Sequence, residues 1–100
     1  MSKLKPASLP PDTVIGGYRV VRKISAGGFG VVYLAVDKEG QQVAVKEYLP
    51  SALTMRDAGA LVPQVAPEKL SLYRLGLKSF FEEGRSLAQI SHASVVSVLN

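Results

Sequence analysis

The chain has 100 residues, the size of one small domain, so two complete domains do not fit. Hydrophobic residues make up 47% and charged residues 20%, which is too apolar for a disordered chain. The net charge is +4, carried by residues scattered from Lys3 to Arg85, whereas a nucleic-acid footprint clusters its charge on one element. There is no cysteine and one histidine, His92. A disulfide scaffold, a cysteine-ligated metal centre and a multi-histidine metal site are therefore excluded.

The longest apolar run, Val31 to Val36, is far short of the roughly 20 residues that span a bilayer. The N-terminus is basic but no apolar stretch follows it, so it does not read as a signal peptide. The expected compartment is the cytoplasm.

Residues 1–13 read as a flexible leader, with Pro6, Pro10 and Pro11 among Ser, Lys and Asp. From residue 14 to 48 the pattern is β-structure. Tyr18 to Ile24, Val31 to Val36 and Val43 to Tyr48 are rich in β-branched and aromatic residues. The connections between them are short, which implies an antiparallel meander because parallel neighbours need a long crossover. Gly40 suits a positive-φ position in the second turn. Residues 49–67 form a long irregular stretch with Pro50, Gly59, Pro63 and Pro67, and a helical turn is expected near Ser51–Met55.

From Glu68 to Ser91 the period changes. Leu70, Tyr73, Leu77, Phe80, Gly84, Leu87 and Ser91 recur at alternating intervals of three and four, which is one helix face. Gly76 and Gly84 weaken that helix and mark positions for a kink or break. Val95 to Leu99 reads as a fourth strand. The expected fold is α+β: an antiparallel sheet with one main helix.

Three features carry chemistry. Gly27, Gly28 and Gly30 crowd one loop, where backbone N–H groups can converge on phosphate oxygens. A tight hairpin turn explains the same glycines. The loop is followed by a strand rather than a helix, which excludes a dinucleotide fingerprint, and no Gly-Lys-Ser/Thr ends it, which excludes a Walker A loop. Next, Val43-Ala44-Val45-Lys46 puts Ala44 and Lys46 on one strand face. A lysine within an apolar strand with a small neighbour leaves room for something flat, or else it points to water. Last, Glu83 lies beside the apolar helix row, where a buried carboxylate needs a partner. Lys46 is the candidate, and the alternative is that Glu82 and Glu83 are both solvated.

Together these residues resemble the N-terminal lobe of a protein kinase. The glycine-loop pattern corresponds to Ser25-Ala26-Gly27-Gly28-Phe29-Gly30-Val31-Val32 and V-A-x-K to Val43-Ala44-Val45-Lys46. The helix glutamate corresponds to Glu83, and Ile90-Ser91-His92-Ala93-Ser94-Val95-Val96 is similar to the family's step into its fourth strand. Glu47-Tyr48-Leu49-Pro50 resembles a bacterial serine/threonine subgroup. The resemblance implies that Ser25, Ala26, Gly27, Gly28, Phe29 and Gly30 cover ATP phosphates. It implies that Lys46 contacts the α- and β-phosphates and that Glu83 holds Lys46 by an ion pair. Val32 and Ala44 would wall the adenine and Ile24 would close its far edge. His92 would cap the turn after the helix, without a catalytic role.

The sequence departs from the family at Ser25, in place of the first glycine, and at Ala93 and Ser94. The spacing from Lys46 to Glu83 is longer than the family usually shows, which marks residues 50–76 as an insertion with an expected regulatory or docking role. The resemblance implies that residues 14–100 are a partial, incomplete kinase domain ending before the hinge. The catalytic H-R-D and metal-binding D-F-G are not in these 100 residues. Mg2+ ligands and the protein-substrate site would belong to a C-terminal lobe, and the 100 residues alone are expected to be inactive. Two other readings remain: a non-catalytic, pseudokinase-like interaction module, and a basic nucleic-acid-binding β domain. The last leaves Lys46 and Glu83 unexplained, so no nucleic-acid partner is expected.

Overall fold

The computed structural model describes residues 6–82 and 86–98. Its elements in chain order are β1 (Val14–Ile15), β2 (Tyr18–Ala26), β3 (Gly30–Val36), β4 (Gln42–Tyr48), β5 (Thr54–Met55), β6 (Gln64–Val65), α1 (Leu70–Glu82), β7 (Ala88–Ile90) and β8 (Ala93–Ser97). A single 3-10 turn, Pro67–Lys69, leads into α1. The expected α+β class is the observed one. Six strands lie in the order β1-β2-β3-β4-β8-β7, and β5 and β6 form a separate pair.

The meander read from the sequence is present, with β2 antiparallel to β3 and β3 antiparallel to β4. The β3–β4 turn is built locally. The Asp37 carboxylate accepts from the N–H groups of Glu39 and Gln41, and Gly40 has φ 82°. Side chains alternate along the paired strands. Val31, Tyr33, Ala35, Val43 and Val45 point into the core, where they meet Val20, Leu49, Ala93, Val95 and Leu9.

Four expectations need correction. Residues 6–13 differ from a free leader: Leu9 is 4% exposed, and its N–H donates to the Tyr33 hydroxyl at 2.9 Å. The stretch after β4 holds one tight turn, closed by Thr54 N–H on Pro50 C=O, and then the β5–β6 pair rather than irregular chain. The helix stops at Glu82 among the described residues, well short of Ser91. Ala88–Ile90 is instead a strand paired with β8, because Ser91 and His92 form a two-residue turn with Ser91 at φ 55°. Finally, the strand expected from Val95 begins at Ala93 and pairs with β4, so the sheet has more than four strands.

Helix α1 meets the sheet at the Tyr48 ring. Tyr48, 4% exposed, lies 5.2 Å from the Tyr73 ring and 5.5 Å from the Phe80 ring, centroid to centroid. Its hydroxyl donates to the Tyr73 carbonyl at 3.1 Å. Gly76 sits directly under Tyr48, where a Cβ would collide with the hydroxyl. No residue of the helix is fully buried, and Leu72 and Leu75 stay 62% and 64% exposed. Among the described residues, no helix is long and apolar enough to cross a membrane.

Candidate functional site

The face of the sheet opposite the core carries the residues singled out in the sequence. Strict register pairs Val32 with Lys46 and Leu34 with Ala44, with no bulge between β3 and β4. Directly paired residues project to the same side. Val32, Ala44 and Lys46 therefore form one patch, with Val32 and Ala44 half-buried and Lys46 exposed. Ser25 pairs with Val32 and Ala26 with Val31, so the start of the glycine loop continues β2. Ile24 falls at a break in register between Lys23 and Ser25 and is 48% exposed.

The glycine loop is a closed hairpin. Gly27 N–H donates to Gly30 C=O at 2.9 Å. None of its glycines has a positive φ, so conformational freedom is not what requires them. Space separates them instead. At Gly30 a Cβ would collide with the Glu47 carbonyl, so that glycine lets β3 lie close to β4. At Gly27 and Gly28 a Cβ would meet nothing within 4 Å. Packing thus leaves both positions free for close approach by a ligand. Phe29, at the tip, is 81% exposed.

Glu83 lies outside the described residues, so its pairing with Lys46 has no structural description. Glu82, the competing carboxylate, is exposed. A cavity of about 630 Å³ opens beside the loop, between Gly28, Phe29, Pro50, Leu72, Leu75 and Phe80. Neither Lys46 nor Ala44 lines it. The patch around Lys46 is an open sheet surface, and the cavity lies on the helix side of the loop tip.

One polar cluster was not anticipated. Glu47, 2% exposed, points into the core side of β4. Its Oε1 accepts from the Tyr33 hydroxyl at 2.7 Å and from Arg56 Nη2 at 2.9 Å. Its Oε2 accepts from Arg56 Nη1 and from His92 Nε2, the latter at 2.8 Å. A carboxylate only accepts, so Nε2 carries the hydrogen. Burial pushes the Glu47 carboxyl up, but the bonds from His92, Arg56 and Tyr33 outweigh it and hold its pKa at about 2. Burial, with Glu47 beside it, raises the Tyr33 phenol to about 12.

The turn that holds His92 follows β7 rather than the helix, and the His92 ring locks onto Glu47. Arg56 also donates to the carbonyls of Ala7 and Leu61, and its own carbonyl accepts from Ala7 N–H. Every buried side-chain polar atom among the described residues has a partner. A saturated, buried cluster of this kind is built for structure rather than for turnover. The sequence signal that could have found it is Glu47 itself, an acid at an inward position between Val45 and Leu49. Among the described residues, no three His, Cys, Asp or Glu side chains gather where a metal ion could be held.

No protein-family model matches the chain. A solved structure titled PpkA-294, apo form, is similar to it at 23% identity, with a TM-score of 0.77. The match covers 90% of this chain and 38% of that one. The likeness is one of fold: an antiparallel sheet with one helix, the α+β arrangement of a kinase N-lobe. This chain spans well under half of the structure it matches.

Proposed function

We propose that this chain is the ATP-binding lobe of a serine/threonine protein kinase, an enzyme that moves the γ-phosphoryl group of ATP to protein hydroxyls. The observation that carries the reading is the shared patch of Val32, Ala44 and Lys46 beside a glycine loop with open space at Gly27 and Gly28. The residues fit the nucleotide. Half-buried Val32 and Ala44 give a flat apolar surface for a purine ring. Exposed Lys46 supplies a cation for phosphate oxygens. Ser25, Ala26 and Phe29 complete the loop, and Ile24 stands at its entry.

Phosphoryl transfer also needs metal ions on the phosphates and a positioned acceptor. The motifs that supply them in kinases are not in these 100 residues, so Mg2+ and the protein substrate would be held by residues outside this chain. The lobe alone binds nucleotide weakly and turns nothing over.

An ATP acyl phosphate, which acylates a lysine amine held near the phosphates, tests the assignment. The expected product is a single acyl adduct on Lys46, suppressed by excess ATP. Labelling spread over surface lysines and insensitive to ATP would reject the reading. That result would favour the interaction-module alternative, for which the specific observation is the exposed apolar group Phe29, Leu72 and Leu75 around one cavity.

A further inference from the structure

The segment after β4 does more than connect strand to helix. Leu49 N–H donates to the Phe29 carbonyl at 3.0 Å, and Ser51 N–H donates to the Gly28 carbonyl at 3.0 Å. The glycine loop is therefore hydrogen-bonded along one side to Leu49–Ser51, as an extension of the β3–β4 ladder. The segment is itself fixed. Leu49 is 3% exposed. The Pro50 carbonyl accepts from Leu53 N–H, Thr54 N–H and, at 2.8 Å, the Thr54 hydroxyl. Arg56, 3% exposed, then anchors the turn to Glu47 of β4 and to the carbonyls of Ala7 and Leu61. The Lys69 amine reaches the Ala52 carbonyl at 3.1 Å and ties the start of the helix to the same turn.

We infer that residues 49–56 are a strap that sets the glycine loop, and that Ser51 and Arg56 are positioning residues for the nucleotide site. This rests on the ATP-binding reading above. The physical argument has two parts. A trans peptide points its C=O and N–H in opposite directions. With the Gly28 and Phe29 carbonyls held on the strap, those peptides turn their N–H groups away from it. Their negative ends are thereby kept on the strap instead of facing an incoming anion. A loop ordered beforehand also loses less freedom when ligand binds. Arg56 acts at a distance: it touches neither the loop nor the Lys46 patch, and it fixes the turn from which Leu49 and Ser51 reach the loop.

The test uses the 100-residue chain. In the wild type without nucleotide, NMR couplings across the hydrogen bonds should connect Leu49 N to the Phe29 carbonyl carbon and Ser51 N to that of Gly28. Their absence in a folded chain overturns the strap. Ser51→Pro removes one donor, and Arg56→Gln removes the anchor. Each should raise hydrogen exchange of the Leu49 amide, a donor to the loop, about tenfold or more without nucleotide, and Arg56→Gln should do the same to the Ser51 amide. Each should also weaken ATP binding about three- to tenfold, the worth of one or two hydrogen bonds. Unchanged exchange of these donor amides in a folded variant overturns the strap, and if a variant does not fold, the wild-type couplings decide. Couplings and exchange as expected, with no ATP binding by the wild type, would support the strap and reject the nucleotide reading alone.

Discussion

Glu47 shows what one buried carboxylate costs and what it fixes. Removing its charge leaves the Arg56 guanidinium buried without a counter-ion, which costs about 3–5 kcal/mol. Glu47→Gln should therefore lower the urea midpoint steeply, and a change within error of wild type would contradict the cluster's role. The pH dependence has a defined sign. The folded carboxyl is held at about 2, below its ordinary 4.5, by the Tyr33 hydroxyl, Arg56 and the His92 ring. The unfolded state binds the proton more readily, so the stabilisation is fully present above about pH 4.5 and fades as pH falls toward 2. Acid unfolding of the wild type should run through that window, and Glu47→Gln should flatten it. Of this cluster, only the acid at an inward strand position was legible in the sequence. Arg56 reaches it across a turn, and His92 across the sheet from a hairpin whose existence the helix pattern concealed.

At the scale of elements, α1 is the clearest case of a pattern read correctly at one end only. Leu70, Tyr73, Leu77 and Phe80 do form the half-buried row. The same three-and-four spacing continues through Leu87 and Ser91 by coincidence, because Ala88–Ile90 gains a ladder with β8 and Leu87 is left 65% exposed. Periodicity reports a face and says nothing of a competing strand partner. The strands were more legible, since β-branched runs and short turns leave few other arrangements. Glycine weakens a helix, but Gly76 has a steric purpose under the Tyr48 hydroxyl. Gly76→Ala gains about 1 kcal/mol of helix propensity but forces Tyr48 aside at an overpacking cost of about 1–3 kcal/mol. A net loss of stability is expected in a denaturant melt followed by tyrosine fluorescence. A more stable protein would show that the helix is not docked on Tyr48.

Over the whole molecule, the sheet separates two tasks. One face buries Val20, Tyr33, Val45 and Val95, closed by Leu9 and Leu49. The other presents Val32, Ala44 and Lys46. Period two along β4 enforces the division, because Glu47 and Lys46 are neighbours that must point oppositely. The strap links the faces: its anchor lies on the core side and its donors reach the glycine loop. The candidate site was legible in the sequence as motif residues, and the structure brings Val32, Ala44 and Lys46 onto one surface. The ties that order the loop were not legible, because they are backbone hydrogen bonds that no side-chain pattern encodes. The most direct measurement is a titration of the 15N-labelled chain with ATP, followed residue by residue. The predicted shifts gather at Gly27, Gly28, Phe29, Val32, Ala44 and Lys46, and Lys46→Ala, a change at an exposed position, weakens them without unfolding the sheet. No saturable shifts, or shifts confined to the opposite face around Tyr33 and Val45, would contradict an ATP-binding lobe.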